Sequence, residues 1–271
     1  MIPTAFITEW RQFAPWVSDA WVEQDLVISR ALVELFSDPF LKENLAFRGG
    51  TALYKLHFLP SARYSEDIDL VQIKAEPIGP ILDRIRTILD PWLGAPKRKF
   101  KGGCVSLRYR FLSEDVEPFP LKLKVEINTR EHFAELGWKT EPFSLTNRWF
   151  TGQTDITSFY LSELLATKLR ALYQRKKGRD LFDLYFALKN GFTDIEGLLS
   201  CFKRYLDTEG NTITRAMFEK NLAEKSTMKD FREDILPLLR PDLKWNYQEA
   251  LTLVQSNIIQ FLPGEPWKGT K

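Results

Sequence analysis

Apolar residues recur at helical spacing between residues 19 and 37, where Trp21, Val22, Leu26, Val27, Leu32, Val33 and Phe36 fall on one side. Asp19 stands at the front of this run as an N-cap, and Asp38-Pro39 stops it, because the residue before a proline is driven out of the helical region. The short run Leu45-Ala46-Phe47-Arg48 is broken by Gly49-Gly50, after which Thr51 caps a short helix reaching His57. Ile68-Asp69-Leu70-Val71 reads as a strand, and Ile78–Leu89 as a helix ended by Asp90-Pro91.

The period then changes to two. Val105, Leu107, Tyr109 and Phe111 alternate with Ser106, Arg108 and Arg110, and Leu121, Leu123, Val125 and Ile127 alternate with Lys122, Lys124, Glu126 and Asn128. These are two half-buried strands, and the acidic, proline-containing stretch 113–120 joins them as an antiparallel hairpin. Beyond about residue 155 the strand signal fades, and helices are predicted near 160–176, 179–190, 193–206, 212–222, 228–239 and 245–261. The pattern predicts an α+β chain, a mixed α/β half over 1–155 followed by a helical half over 156–271, with 141–158 as the junction. It holds no internal repeat and no low-complexity segment.

Composition narrows the function classes. With 271 residues, 44% of them hydrophobic, the chain has material for one large core or two modest ones, which excludes a disordered or collagen-like protein. Its 38 Lys+Arg against 36 Asp+Glu give a net charge of +2, so bulk positive charge cannot hold a nucleic acid; any such contact needs a local patch. Two distant cysteines, Cys104 and Cys201, and only two histidines, His57 and His132, exclude a structural zinc site by spacing. No run approaches the ~18 apolar residues of a membrane helix, and Met1-Ile2-Pro3-Thr4 lacks the basic and apolar regions of a signal peptide. A reduced, cytoplasmic protein with no membrane partner is the expectation.

The densest chemistry lies between residues 47 and 70. Asp67 and Asp69 are two apart on a strand, so both carboxylates leave the same face, while Ile68 and Leu70 enter the core. Two adjacent carboxylates repel, and a divalent cation such as Mg²⁺ (or Mn²⁺), a hard ion suited to oxygen ligands, is their usual compensation. Gly49-Gly50 ahead of a helix exposes backbone N–H groups that can cradle a phosphate. Alone, the glycine pair reads first as a plain turn and the aspartate pair as a solvated strand end; within about twenty residues of each other they reinforce one another.

Three further groups carry two readings each. Glu126 lies on the polar face of its strand, either as a third metal carboxylate or on a solvated face shared with Lys122 and Lys124. Lys168 interrupts an apolar stripe of Leu161, Leu164, Leu165 and Leu172, so it either snorkels to water or meets a negative partner, a nucleotide phosphate or Asp180. Asp180 and Asp183 open a very apolar helix, where the helix dipole favours negative charge. The basic runs Arg175, Lys176, Lys177, Arg179 and Lys97, Arg98, Lys99, Lys101 are solvated segments or contacts to RNA phosphates.

Taken in order, Gly49-Gly50-Thr51-Ala52-Leu53, Arg63-x-Ser65-x-Asp67-Ile68-Asp69-Leu70, Lys168, and Lys177-x-Arg179-Asp180-x-x-Asp183 resemble the AbiEii/AbiGii toxin family, a branch of the DNA polymerase β-type nucleotidyltransferase superfamily that includes the MenT toxins. The motifs span about half the chain. The resemblance implies a nucleotidyltransferase-like mixed sheet with flanking helices, a helical C-terminal domain, NTP as substrate and an antitoxin encoded nearby. It implies RNA as the acceptor, at the tRNA 3′ end in the MenT branch. It assigns Gly49, Gly50 and Thr51 to the triphosphate, Asp67 and Asp69 (with Glu126) to Mg²⁺, and Lys168 and Asp180 to later catalytic motifs. Thr51 stands where the family often has Ser and keeps the hydroxyl. Transfer to a protein hydroxyl, phosphorylation by the γ-phosphate, and a non-enzymatic nucleotide-binding role remain the alternatives.

Overall fold

The computed structural model describes residues 2–114 and 118–269. Residues up to Phe159 form one compact unit together with Arg240–Asp242; the remainder, from Tyr160 to Leu239 and from Leu243 onward, forms a second. The returning segment is tied to the first unit by the Arg240 N–H, which donates to the Ala62 carbonyl at 3.0 Å.

The first unit begins with helix α1 (Thr4–Trp10) and the long helix α2 (Asp19–Ser37). Val22, Leu26, Val27, Ile28, Ala31 and Leu32 of α2 are fully buried, and each large aliphatic side chain among them stabilises the fold by about 1.5–3 kcal/mol. Asp19 is not the N-cap: Ser18 takes that position, and Asp19 is the first helical residue, ion-paired to Arg11. Asp38 ends α2 and its carboxylate accepts the Leu41 N–H at 3.0 Å, which starts helix α3 (Pro39–Asn44). Strand β1 (Leu45–Arg48) leads into helix α4 (Gly49–Ala52), which widens into a π-helical turn over Leu53–His57. Thr51 is therefore inside α4 rather than capping a helix. After strand β2 (Asp67–Gln72), helix α5 (Gly79–Leu93) runs past Asp90-Pro91. Pro91 lies in the last turn, which is held by the Trp92 indole donating to Glu34 at 2.7 Å and the Gly94 N–H donating to the Asp90 carbonyl.

Five more strands follow: β3 (Lys97–Lys101), β4 (Cys104–Leu112), β5 (Pro120–Asn128), β6 (Trp138–Asn147) and β7 (Phe150–Phe159). The mixed sheet has the order β3-β4-β5-β2-β1-β7-β6. β4 and β5 form the predicted antiparallel pair; residues 115–117 of the predicted joining stretch lie outside the described residues. The segment 141–158 is not a junction. It belongs to the β6–β7 hairpin, whose parallel contact with β1 adds it to the sheet. Its alternation escapes notice because the hairpin buries few side chains (Leu145, Ile156 and Phe159 among them), and threonines and polar residues make up much of the rest.

The second unit is helical: α6 (Leu161–Gln174), α7 (Gly178–Lys189), α8 (Ile195–Thr208), α9 (Arg215–Ser226), α10 (Lys229–Glu233) and α11 (Tyr247–Asn257). The predicted helices 228–239 and 245–261 are shorter, each continuing into a single 3₁₀ turn, at Leu236–Leu238 and Ile259–Phe261. Among the described residues no helix is long and apolar enough to cross a membrane.

Candidate active site

In the first unit the chemistry gathers around β2. Asp67 pairs in register with Lys124, and Asp69 with Glu126 on one side and Arg48 on the other. Residues opposed in register share a face, so these side chains lie on one surface of the sheet, while Ile68, Leu70, Val125 and Ile127 are buried on the other.

Asp69 stands directly against the Gly-Gly turn. Gly49 has φ +83°, and an added Cβ there would overlap the Asp69 Oδ2 and lie 3.0 Å from its Cβ and Cγ. A Cβ on Gly50 would come within 2.5 Å of the Arg63 guanidinium and 3.2 Å of the Ser65 hydroxyl. Close approach of these side chains to bare backbone requires both glycines. Arg63 itself is buried, stacked over the Tyr54 ring at 5.0 Å, and donates to the Tyr64 carbonyl at 3.1 Å.

Thr51, assigned to the triphosphate by resemblance, is buried. Its hydroxyl donates to the Asp67 carbonyl at 2.5 Å and lies 2.8 Å from the Ser65 hydroxyl. It latches the turn onto the first residue of β2, which fixes where the Asp67 side chain starts.

Asp67 is a perturbed carboxylate. Burial, reinforced by the charge of Asp69, pushes its pKa up to about 6, against the pull of Lys124. Among the described residues its Oδ1 is buried without a hydrogen-bond partner, and its Oδ2 accepts from Lys124 Nζ at 3.4 Å. A buried, unpartnered carboxylate oxygen costs on the order of 1–3 kcal/mol, which a bound cation would recover. The donor set fits a hard divalent cation at Asp67 and Asp69: two carboxylates leaving one face, one with an orphaned oxygen.

Glu126 lies on the partly solvated strand face that it shares with Lys122 and Lys124. Its Oε2 holds Lys124 Nζ at 2.7 Å, and among the described residues no group of three or more His, Cys, Asp and Glu side chains is placed to hold a metal ion. Lys124, which the strand pattern left among the solvated positions, bridges Glu126 and Asp67. Burial alone would lower its ammonium, but the hydrogen bond to Glu126 and the charges of Asp67, Glu126 and Asp69 hold it above its ordinary value. No sequence signal separates it from Lys122, which is exposed and pairs with Glu66 at 3.3 Å.

The second unit has its own charged core. Lys168 does not snorkel: it is buried, with Nζ 2.8 Å from Asp183 and 3.8 Å from Asp180. Asp180 and Asp183 are fully buried in the first turns of α7, and Arg175 forks onto Asp180 at 2.6 and 2.7 Å. Arg175, expected among the RNA contacts, is thus engaged with its own fold, while Lys176 and Lys177 are exposed and Arg179 is half-buried at the start of α7. A second lysine missed by the sequence pattern, Lys225 on α9, is buried and donates to the Leu172 and Tyr173 carbonyls at the end of α6. Burial pulls its pKa down to about 8, despite the nearby Asp180.

A mixed sheet with paired aspartates on a central strand, docked against a Gly-Gly turn, is the framework of a nucleotidyltransferase. Two solved structures share the fold. MenT4, a nucleotidyltransferase toxin from Mycobacterium tuberculosis, superposes with a TM-score of 0.71 at 16% identity, covering 97% of this chain and 91% of its own. A protein from H. pylori assigned as a nucleotidyltransferase gives 0.54 at 20% identity, covering 92% and 100%. At such identities the likeness establishes the fold. No curated protein matches the chain. Residues 30–253 match the family model of the AbiEii nucleotidyl transferase toxin of type IV toxin–antitoxin systems. The chain belongs to this family and is a nucleotidyltransferase.

Proposed function

We propose that the protein is a metal-dependent toxin that transfers a nucleotide from an NTP to an RNA hydroxyl, the tRNA 3′ end being the acceptor in view. One observation carries this reading. The Oδ1 of Asp67, buried and unpartnered among the described residues, stands beside Asp69 on the strand that packs against Gly49. Mg²⁺ or Mn²⁺, held by Asp67 and Asp69, would neutralise charge developing on the phosphates.

The acceptor hydroxyl attacks the α-phosphorus of the NTP; the new O–P bond forms as the bond to pyrophosphate breaks, and the hydroxyl proton is taken up by a carboxylate. Asp69 or Glu126 is the proton acceptor in this proposal. The Gly49-Gly50 turn orients the triphosphate. The family motifs imply catalytic roles for Lys168 and Asp180, which within their own unit face each other at 3.8 Å. Membership of a toxin–antitoxin family brings a cognate antitoxin as partner, and the acceptor places the activity in the cytoplasm.

The test is label transfer. Incubation with α-labelled NTPs, Mg²⁺ and total RNA should label an RNA species, with loss of signal in Asp67→Asn, in Asp69→Asn and on chelation. Label appearing only on protein, or only from γ-labelled ATP, would replace RNA nucleotidylation with the other transfer reactions. No label on any acceptor, from a protein that still binds Mg²⁺, would refute the reading.

A further inference from the structure

The sheet face that carries Asp67 and Asp69 continues outward across three more strands, and there its character changes. One register row runs Asp67, Lys124, Arg108, Lys97 from β2 to the β3 edge; the next runs Asp69, Glu126, Ser106, Lys99. Further rows add Arg110 beside Lys122, and Lys101 beside Cys104. The opposite face of the same strands is the core, with Val105, Leu107 and Tyr109 fully buried and the Tyr109 hydroxyl donating to Asp90 of α5. On the polar face Ser106 is buried and Lys124 half-buried beside the aspartates, and the face opens toward its outer strands. Every residue of β3 is exposed, as are Arg108 and Arg110.

Among the described residues these outer cations lack acidic partners. Lys122 and Lys124 are paired with Glu66, Asp67 and Glu126, but Lys97, Lys99, Lys101, Arg108 and Arg110 make no ion pair among the described residues. Five unpaired cations on one surface of a chain with net charge +2 are a concentration of charge that composition hides. Adjacent strands are about 4.8 Å apart and alternate residues about 6.7 Å apart, which is the scale of neighbouring phosphates on an extended strand. Lys97 and Asp67 are three strands apart, about 14 Å along the row.

We propose that the polar face of β3, β4 and β5 is a track for single-stranded RNA, whose phosphates lie on Lys97, Lys99, Lys101, Arg108 and Arg110 and whose end is led along the register rows to Asp67 and Asp69. The proposal deepens the RNA-acceptor reading and rests on it. The register favours nucleic acid over an acidic protein segment, because the cations lead row by row to the carboxylates that the transfer reaction uses. Selectivity from such a track comes from backbone charge rather than base identity, so it recognises a single-stranded end of any sequence.

The probe is a fluorescein-labelled oligouridylate of about 12 nucleotides, with binding to the full chain followed by anisotropy across a salt series. Five phosphate contacts give a slope of log K against log [salt] of about −3.5. Lys97→Gln/Lys99→Gln/Lys101→Gln should bring the slope to about −1.4 and weaken binding at least tenfold; Arg108→Gln/Arg110→Gln, on the adjacent strand, should shift it by about 1.4 independently. Thermal melts confirm that each variant is folded, and the two sets of substitutions give separate readings. An unchanged slope in both variants overturns the track. So does an unchanged slope with new self-association by light scattering, which would make the lysines guards of an open sheet edge. Binding of polyglutamate with the wild-type slope in place of RNA would assign the face to an acidic protein and also overturn it. Failure of the parent reading is distinguishable: RNA would bind with the predicted slope while no RNA accepted label.

Discussion

Gly49→Ala separates the two reasons a glycine can be required. Gly49 combines φ +83° with a carboxylate packed where its Cβ would be. Gly137, in the same unit, has φ +81° with nothing within 4 Å of a built Cβ. Alanine in a left-handed conformation costs about 1–2 kcal/mol, partly offset by about 0.4–1 kcal/mol from the stiffer unfolded chain, so Gly137→Ala should destabilise by about 1 kcal/mol or less. Gly49→Ala carries the same backbone cost and must also displace the Asp69 side chain, an overpacking cost of about 1–3 kcal/mol. The expected total is about 1–4 kcal/mol. Urea unfolding measures both variants at constant slope, so the midpoints report the difference directly. Because Asp69 is one of the two proposed metal carboxylates, label transfer should fall in Gly49→Ala and persist in Gly137→Ala. Equal destabilisation of the two variants, with transfer intact in Gly49→Ala, would show that the approach of Asp69 does not determine the need for glycine.

Three other outcomes follow from the geometry. Thr51→Val should destabilise by about 1–3 kcal/mol by stranding the Asp67 carbonyl and Ser65 hydroxyl, while Thr51→Ser retains stability to within a few tenths; thermal unfolding compares them. Lys168→Met leaves Asp183 and Asp180 buried with less compensation and should cost about 3–5 kcal/mol, whereas Lys168→Met/Asp183→Leu should recover much of that loss, a coupling read by a double-mutant cycle. Lys225 binds its proton less tightly folded, at about 8, than unfolded at 10.5, so the unfolded state holds more protons above pH 8 and this group makes stability rise with pH up to about 10.5. The wild type should gain on the order of 1 kcal/mol over Lys225→Met between pH 8 and pH 9.5 in urea titrations; parallel curves would contradict the buried-amine assignment.

Where a helix or strand buries one regular face, its pattern alone was enough. α2, the β4–β5 pair and α6 are examples: each alternates or repeats against the core, and the core is what imposes the period. The β6–β7 hairpin was hidden because its stability comes from backbone pairing, with few buried side chains to mark it. The last two predicted helices were too long because apolar residues in a 3₁₀ turn keep an approximately helical spacing. At the site, the same-face placement of Asp67 and Asp69 followed from strand geometry, and the presence of paired glycines was visible.

The chain's order of residues determined which groups meet locally: Asp67 with Asp69, Asp180 with Asp183, glycine beside glycine. These relations depend on the fixed repeat of strand and helix. Only the tertiary structure decided that Asp69 fills the space above Gly49, that Thr51 is a latch, that Lys124 rather than a third carboxylate stands beside Asp67, and that five cations from two segments share the open outer part of one face. Those pairings join strands and helices distant in sequence, and register between them is set by the packing of the whole unit. A local pattern shows which side of a strand is polar; it carries no information about which polar side chain will stand opposite.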